Sequence, residues 1–113
     1  MFATSKKAMA EKPQVIKAAL RALTRAMKLV QEKPLEAKKY VRAVFPDLDQ
    51  AIFDSVYATA VKGCPTTPVL TNAQVDKTIA WFNTTRKTPY KLKYADVSSN
   101  QLAVVASKEV LGR

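Results

Sequence analysis

The sequence predicts an all-α fold of four to five helices with at most one short extended piece, and three observations support this. Apolar residues recur every three or four positions over several long stretches, as on one face of a helix. Prolines and capping pairs stand at the ends of those stretches. Glycine occurs only twice among 113 residues, which leaves few positions for tight hairpin turns. We therefore expect residues 1–113 to form a single helical domain with a modest core.

Prolines mark the first two predicted helices. The first begins at Pro13, because proline suits the first turn of a helix, and it ends before Pro34. Pro34 begins the second helix, which ends at Pro46. The stripe predicted to face the core comprises Ile16, Leu20, Leu23, Met27 and Val30 in the first helix, and Ala37, Val41, Val44 and Phe45, flanked by Tyr40, in the second.

The third predicted helix follows Asp47, an N-cap candidate with Gln50 three residues on, and it ends near Lys62. Gly63 is expected to stop it in a left-handed conformation. Its predicted inner residues are Leu48, Ile52, Val56 and Ala60, with Phe53 and Tyr57 beside them.

A proline-containing loop, residues 64–68, precedes the last part of the chain. Thr71 and Gln74 form a capping-box pair before a fourth helix, which Pro89 is expected to end by Thr88. Its predicted buried side comprises Val75, Ile79 and Phe82. Residues 90–94 are expected to be extended at most. A last helix is predicted between Ser98, paired with Gln101, and Gly112.

Positive charge is concentrated in the first part of the chain. The net charge is +10, and residues 1–42 carry eleven lysines and arginines against three glutamates. A candidate anion-contact face on the first helix comprises Lys17, Arg21, Arg25 and Lys28. Such a face can be merely solvated, or it can contact the phosphates of a nucleic acid. No aromatic residues alternate with these charges for base stacking, so nucleic acid is the alternative partner. A membrane-surface helix would need bulky Trp or Phe on its apolar side.

The residues that carry most enzyme chemistry are scarce. The sequence has no histidine and a single cysteine, Cys64, which leaves no usual triad, no internal disulfide and no cysteine cluster for a metal. Asp47, Asp49 and Asp54 suggest a carboxylate pair, but capping and surface roles explain them better. Trp81 and Phe82 favour core or interface packing over a ligand pocket. We therefore predict a protein that is not an enzyme and has no cofactor, no metal and no catalytic residue.

Several segments, taken in order, resemble the C-terminal part of ABC-transporter solute-binding proteins for sulfonates, taurine, nitrate and thiamine precursors. They include two helix starts at proline, a Phe-Pro-Asp turn, a Thr-Pro loop and an aromatic-acidic ending. The segments are Glu11–Ala18, Ala26–Ala37, Phe45–Asp49, Thr67–Thr71, Trp81–Phe82 and Tyr94–Ser98. Their order and spacing extend over roughly residues 8–102.

The resemblance implies a truncated or partial relative that supplies the closing helices of a two-domain α/β fold. The strands that build most of the solute cleft are absent, and residues 1–4 are the expected remnant of the last one. The resemblance implies an ABC-transporter membrane component as partner of the full-length family, and it assigns no ligand residue here. The enzymatic, thiamine-pyrimidine synthase branch relies on histidine and a cysteine-rich motif, which this chain lacks.

Partners and location follow from these expectations. Helices built to cover another domain must bury their apolar stripes elsewhere, so we expect self-association or a missing N-terminal half as partner. No stretch reaches membrane-spanning length, and residues 1–7 contain no apolar run typical of a signal peptide. The chain as written is therefore expected in the cytoplasm, whereas the resembling family is extracytoplasmic.

Overall fold

The computed structural model describes residues 3–112, and this part of the chain is all-helical, which confirms the predicted fold class. Five helices have 11 or more residues and correspond to the five predicted ones. They are α2 (Pro13–Glu32), α3 (Pro34–Val44), α4 (Gln50–Gly63), α5 (Asn72–Asn83) and α7 (Gln101–Leu111). Two short helices, α1 (Lys6–Glu11) and α6 (Tyr94–Val97), complete the set. No strand occurs between residues 3 and 112.

The expected strand remnant at residues 1–4 falls largely outside this range. Met1 and Phe2 lie outside the described residues, and Ala3 and Thr4 have no regular secondary structure. The helix that follows, α1, was missed in the sequence although it carries a capping signal. The Ser5 hydroxyl accepts a hydrogen bond from the Ala8 backbone N–H at 3.0 Å, which satisfies one of the unpaired donors of the first turn.

Prolines begin α2 and α3 as predicted, since Pro13 and Pro34 both occupy the first turn of their helices. The start of α4 differs from the prediction: its N-cap is Asp49, whose carboxylate accepts hydrogen bonds from the backbone N–H groups of Ala51 and Ile52 at 2.9 and 3.1 Å. Asp47 lies in the preceding turn. That turn is held by Arg42, whose guanidinium donates to the carbonyls of residues 46 and 48, so the helix cannot start earlier.

The predicted left-handed stop at Gly63 is wrong. Gly63 is the last residue of α4, and within residues 3–112 only Gly112 has a positive φ, of 72°. Gly112 ends α7 as predicted. The chain leaves α4 through an extended conformation at Cys64 instead, which the following proline favours.

The fourth predicted helix agrees with the structure, and the fifth differs at its start. The capping box of Thr71 and Gln74 is present, and α5 ends at Asn83, before the predicted limit at Thr88. The Asn83 side chain accepts from the Tyr90 backbone N–H at 2.8 Å and donates to its carbonyl at 3.1 Å, which turns the chain back on itself. Ser98 does not cap α7, whose N-cap residue is Asn100.

The core is small and lies where α2 packs against α7, with α3 on another side of α2. Thr24 of α2 and Ala106 of α7 are fully buried, and Ala103 and Ser107 are nearly so. These side chains are small, so the two helices can approach closely. The Thr24 hydroxyl donates to the carbonyl of Leu20 at 2.7 Å, which leaves no unsatisfied polar group there. The predicted apolar stripe of α2 is half-buried along its length.

Two side-chain contacts attach the α4–α5 connection to α7 and to the segment before it. The Asn100 amide donates to the Leu70 carbonyl at 2.6 Å and accepts from the Leu70 N–H at 3.0 Å. Near it, the hydroxyls of Thr67 and Ser107 are hydrogen-bonded at 2.9 Å. These contacts fix residues 64–71 against the core although this segment has no regular secondary structure.

The molecule is more open than a compact domain of its size. Its radius of gyration is 16.6 Å, against about 13 Å expected for a compact chain of this length. Its accessible surface is 8693 Å², against about 6,200 Å² for a folded monomer of its mass. Several helices expose large apolar side chains, which contribute to this surface.

Candidate functional site

The predicted anion-contact face of α2 is partly neutralised by α7. Glu109 accepts a hydrogen bond from the Arg21 guanidinium at 2.9 Å, and its other oxygen lies 3.4 Å from the Lys17 ammonium group. The hydrogen bond from Arg21, supported by the charge of Lys17, lowers the pKa of Glu109. These two cations therefore form ion pairs that link α2 to α7.

The other two members of the predicted face differ from each other. Lys28 lies 3.8 Å from Glu32 in an i,i+4 pair on α2, and both side chains are largely exposed. Arg25 is exposed and makes no ion pair within residues 3–112. The spacing that placed the four cations on one side of α2 could not reveal Glu109, because nothing in the sequence pairs α2 with the last helix.

The three aspartates do not form a carboxylate pair. Asp49 caps α4, whereas Asp54 lies 2.8 Å from the Lys38 ammonium group and accepts from Gln50 at 2.7 Å. The hydrogen bond from Lys38 lowers the pKa of Asp54. Asp47 is an exposed turn residue. No group of three potential metal ligands occurs in the part of the chain that the structure describes.

Cys64 is half-buried and its thiol faces the carbonyl of Pro65 at 3.6 Å. Its own carbonyl accepts from the Gln31 amide at 2.8 Å. This arrangement attaches the end of α4 to the end of α2. Among the contacts of the described residues, no base lies beside the sulfur.

A cationic and aromatic cluster sets the rotation of α4 against α3. Phe53 is almost fully buried, and the Arg42 guanidinium lies 5.1 Å from its ring centroid. Lys38 lies 6.0 Å from the centroids of both Phe53 and Tyr57, and the Tyr57 hydroxyl donates to the Pro34 carbonyl at 2.6 Å. Cations stack favourably on aromatic faces, so this cluster turns the Phe53 side of α4 inward.

The predicted inner stripe of α4 is consequently wrong. Ile52 and Val56 are more than half exposed, because one position along a helix corresponds to a rotation of roughly 100°. We refer to six exposed apolar residues of α3, of α4 and of the turn between them, taken together, as the α3–α4 face. Its members, 37% to 71% exposed, are Tyr40, Val44, Phe45, Leu48, Ile52 and Val56. Phe45 and Leu48 join its two halves through a backbone hydrogen bond of 3.4 Å.

A second exposed apolar surface lies at the end of α5. Trp81 is 68% exposed and Phe82 48%, so the expectation that one of them faces the core is wrong, and their rings pack edge to face with centroids 5.0 Å apart. Phe82 also lines a groove of 180 Å³. The aromatic patch, as we call it, comprises Trp81, Phe82, Tyr90, Leu92 and Val97, the last four of which line this groove.

A further groove, of 340 Å³, lies between residues 66–69 and α7. Its main polar groups, the hydroxyls of Thr67 and Ser107, are hydrogen-bonded to each other. In the described part of the chain, no buried side-chain nitrogen or oxygen lacks a partner. Thr66 and Lys108 also line this groove.

Two further findings complete this description. Within the described range, no helix combines the length and the apolar character needed to cross a membrane. No protein-family model matches the chain, and no curated protein and no solved structure is significantly similar to it.

Proposed function

We propose that this chain is the closing helical part of a solute-binding protein of the ABC-transporter type, and that it acts by docking and not by catalysis. One observation carries the proposal: the α3–α4 face leaves six large apolar side chains exposed on a chain whose accessible surface is well above that of a compact monomer. Exposed apolar patches of this kind mark interaction surfaces.

The positions of the resembling segments support the same reading. The two proline segments coincide with the first turns of α2 and α3. Phe45–Asp49 forms the turn between α3 and α4, and Thr71 caps α5. These four segments thus occur at helix starts or turns, whereas Trp81–Phe82 lies in the last turn of α5. The partner that best fits the α3–α4 face is the α/β lobe of such a protein, and a second copy takes its place when that lobe is absent.

Complementation tests the docking role directly. The chain is mixed with the separately expressed N-terminal lobe of a taurine-binding protein, and the mixture is followed by size-exclusion chromatography with light scattering. We expect a one-to-one complex, and we expect Val56→Glu to abolish it while Gln14→Glu, an equal charge change on exposed α2 surface, leaves it intact. Failure of the wild-type chain to form any complex, or equal behaviour of the two variants, would contradict the proposal.

Solute binding gives an independent test. A pocket must enclose most of a small solute to bind it tightly, and this chain supplies one side at most. We expect the isolated chain to bind taurine or nitrate with a Kd in the millimolar range or weaker, about −4 kcal/mol or less favourable. Calorimetry at moderate salt, which screens the +10 net charge, measures this. A saturable micromolar complex of the isolated chain would overturn the proposal.

The basic first part of the chain keeps nucleic acid as the second candidate. Residues 1–42 are strongly basic, but the ion pairs of Lys17 and Arg21 with Glu109 reduce the charge available for phosphate contact. We therefore expect no tight complex with random duplex DNA in a gel shift at low salt. A tight complex of the chain with DNA that weakens steeply as the salt concentration rises would make nucleic-acid binding the favoured function.

A further inference from the structure

We propose that the aromatic patch docks this chain on the surface of an anionic lipid bilayer. This inference goes beyond the proposed function and rests on a different surface from the α3–α4 face. It concerns peripheral attachment, in which side chains enter the headgroup region while no helix crosses the membrane.

The apolar part of the patch has the composition of an interfacial anchor. Trp81 and Phe82 project from the last turn of α5, and Leu92 and Val97 lie beside them on the facing segment. Each is at least 41% exposed. Tryptophan and tyrosine are favoured at the boundary between water and lipid, because one part of the ring system is apolar and another is polar.

Cations predominate in the segment beside the patch. Residues 84–93 contain four cations and no acidic residue. They are Arg86, Lys87, Lys91 and Lys93, and all four are exposed. The Arg86 guanidinium lies over the Tyr90 ring, 4.0 Å from its centroid, so cation and aromatic ring are joined directly. The nearby carboxylate of Asp96 accepts a hydrogen bond from the Lys93 backbone N–H at 2.7 Å. Basic residues beside an apolar anchor are attracted by anionic lipids.

Hydrogen bonds hold the patch in shape before it meets a partner. The two bonds between the Asn83 side chain and the Tyr90 backbone attach residues 84–93 to the end of α5. Arg86 also donates to the Thr88 carbonyl at 3.4 Å. The loop is therefore ordered before binding, which lowers the entropic cost of binding.

The charge and the apolar composition together select the bilayer among possible partners. A second copy docked on this patch would bring four cations against four others, which is unfavourable. A single-stranded nucleic acid would satisfy the charge and could stack on Trp81, but it gains little from Leu92 and Val97. Aliphatic and aromatic side chains together are what a lipid headgroup region buries.

The single tryptophan of the chain is Trp81, which makes it a direct reporter. Its fluorescence is recorded as the full chain is titrated with vesicles of phosphatidylcholine containing phosphatidylserine, and with vesicles of phosphatidylcholine alone. We expect a blue shift and co-sedimentation with the anionic vesicles only, weakened by added salt. If the chain sediments with the vesicles but the fluorescence of Trp81 shows no blue shift, the proposal is overturned, because another surface of the chain must then bind the lipid.

Paired variants separate the patch from the overall charge. Lys87→Glu/Lys91→Glu should weaken vesicle binding at least about twentyfold, since each cation near the surface contributes about fivefold. The control Lys6→Glu/Lys7→Glu makes the same net change on α1 and should weaken it far less. Phe82→Ser, at an exposed site, should reduce the blue shift while circular dichroism stays unchanged.

Three outcomes would refute the inference. Equal losses in the two lysine pairs would mean that the net charge binds non-specifically. If Phe82→Ser binds vesicles as well as the wild-type chain and shows the same blue shift, then Phe82 does not anchor the chain in the lipid. A blue shift on single-stranded polyuridylic acid without any vesicle binding would assign the patch to nucleic acid.

Discussion

Replacing Asn100 with alanine removes a side chain whose amide group pairs with both backbone groups of Leu70, 30 residues away. Asn83 offers a matched control, because its amide makes the same two-bond contact with the backbone of Tyr90, seven residues away. The contacts differ in their surroundings: the Asn100 contact is partly buried, whereas the Asn83 contact is exposed. The two substitutions therefore compare one hydrogen-bonding geometry at two levels of burial.

The expected effect of Asn100→Ala follows from the groups that it leaves without partners. Each lost hydrogen bond costs about 1 kcal/mol net, and a backbone group left unsatisfied in a partly buried position costs about 1 kcal/mol more. With two such bonds the free energy of unfolding should fall by about 2–4 kcal/mol. That corresponds to a decrease in Tm of roughly 10–20 °C for a domain of this size. Asn83→Ala should cost less than about 1 kcal/mol, because water replaces the lost partner.

Urea unfolding followed by circular dichroism and by Trp81 fluorescence measures both values. Coincidence of the two transitions shows whether the unfolding is two-state, as the comparison requires. Equal losses for Asn100→Ala and Asn83→Ala would refute the reasoning, because burial would then not decide the strength of these contacts. A loss below about 0.5 kcal/mol for Asn100→Ala would show that the α4–α5 connection does not need this attachment.

Three further predictions concern the interface, an ion pair and the two glycines. Val56→Glu should convert the self-associated chain to a monomer, as measured by light scattering, while the helical content stays unchanged. If the variant still self-associates like the wild-type chain, the α3–α4 face is not the interface. Arg21 and Lys17 lower the pKa of Glu109 in the folded chain. The ionised Glu109 carboxylate therefore stabilises the fold above the ordinary glutamate pKa, and this stabilisation is lost as the pH falls through the lowered pKa of the folded chain. In that pH range, acidification should therefore lower the free energy of unfolding less for Glu109→Gln than for the wild-type chain. Urea unfolding at several pH values measures this, and the same pH dependence in both chains would contradict a stabilising role of the Glu109 ion pairs. Gly63→Ala should stabilise the chain by about 0.5 kcal/mol, since the added methyl group meets no atom within 4 Å. Gly112→Ala should destabilise it by up to about 1 kcal/mol, because φ is positive at this residue. The two substitutions should therefore shift the urea midpoint in opposite directions, and shifts in the same direction would refute this contrast.

The fold was predictable from the sequence to the level of helix number and position. Local rules, such as proline in a first turn at Pro13 and Pro34 or the capping box of Thr71 and Gln74, act within a few residues and hold in the structure. The errors occur where a distant or competing contact decides. Arg42 binds two carbonyls of the turn that contains Asp47, and Asp49 caps α4 instead.

The candidate site was less predictable, because it depends on which side of each helix meets a neighbour. Periodicity identified an apolar stripe through Ile52 and Val56, yet Phe53, one position away, faces α3. The preference of Lys38 and Arg42 for an aromatic face decided this, and such a contact has no signature in α4 alone. The aromatic patch carried a readable signal, since Trp81 and Phe82 precede a segment with four cations and no acidic residue.

The packing of α2 against α7 has a consequence for how the chain folds. The main core contact joins residues 13–32 to residues 101–111, so α2 lacks its principal partner until nearly all of this sequence has left the ribosome. Contacts between segments so distant in sequence slow folding, because the intervening chain must close as a loop. A circular permutant that links the two ends and opens the chain between α5 and α6 would bring α7 and α2 close in sequence. Such a permutant should fold faster than the natural order at similar stability, which stopped-flow refolding would measure.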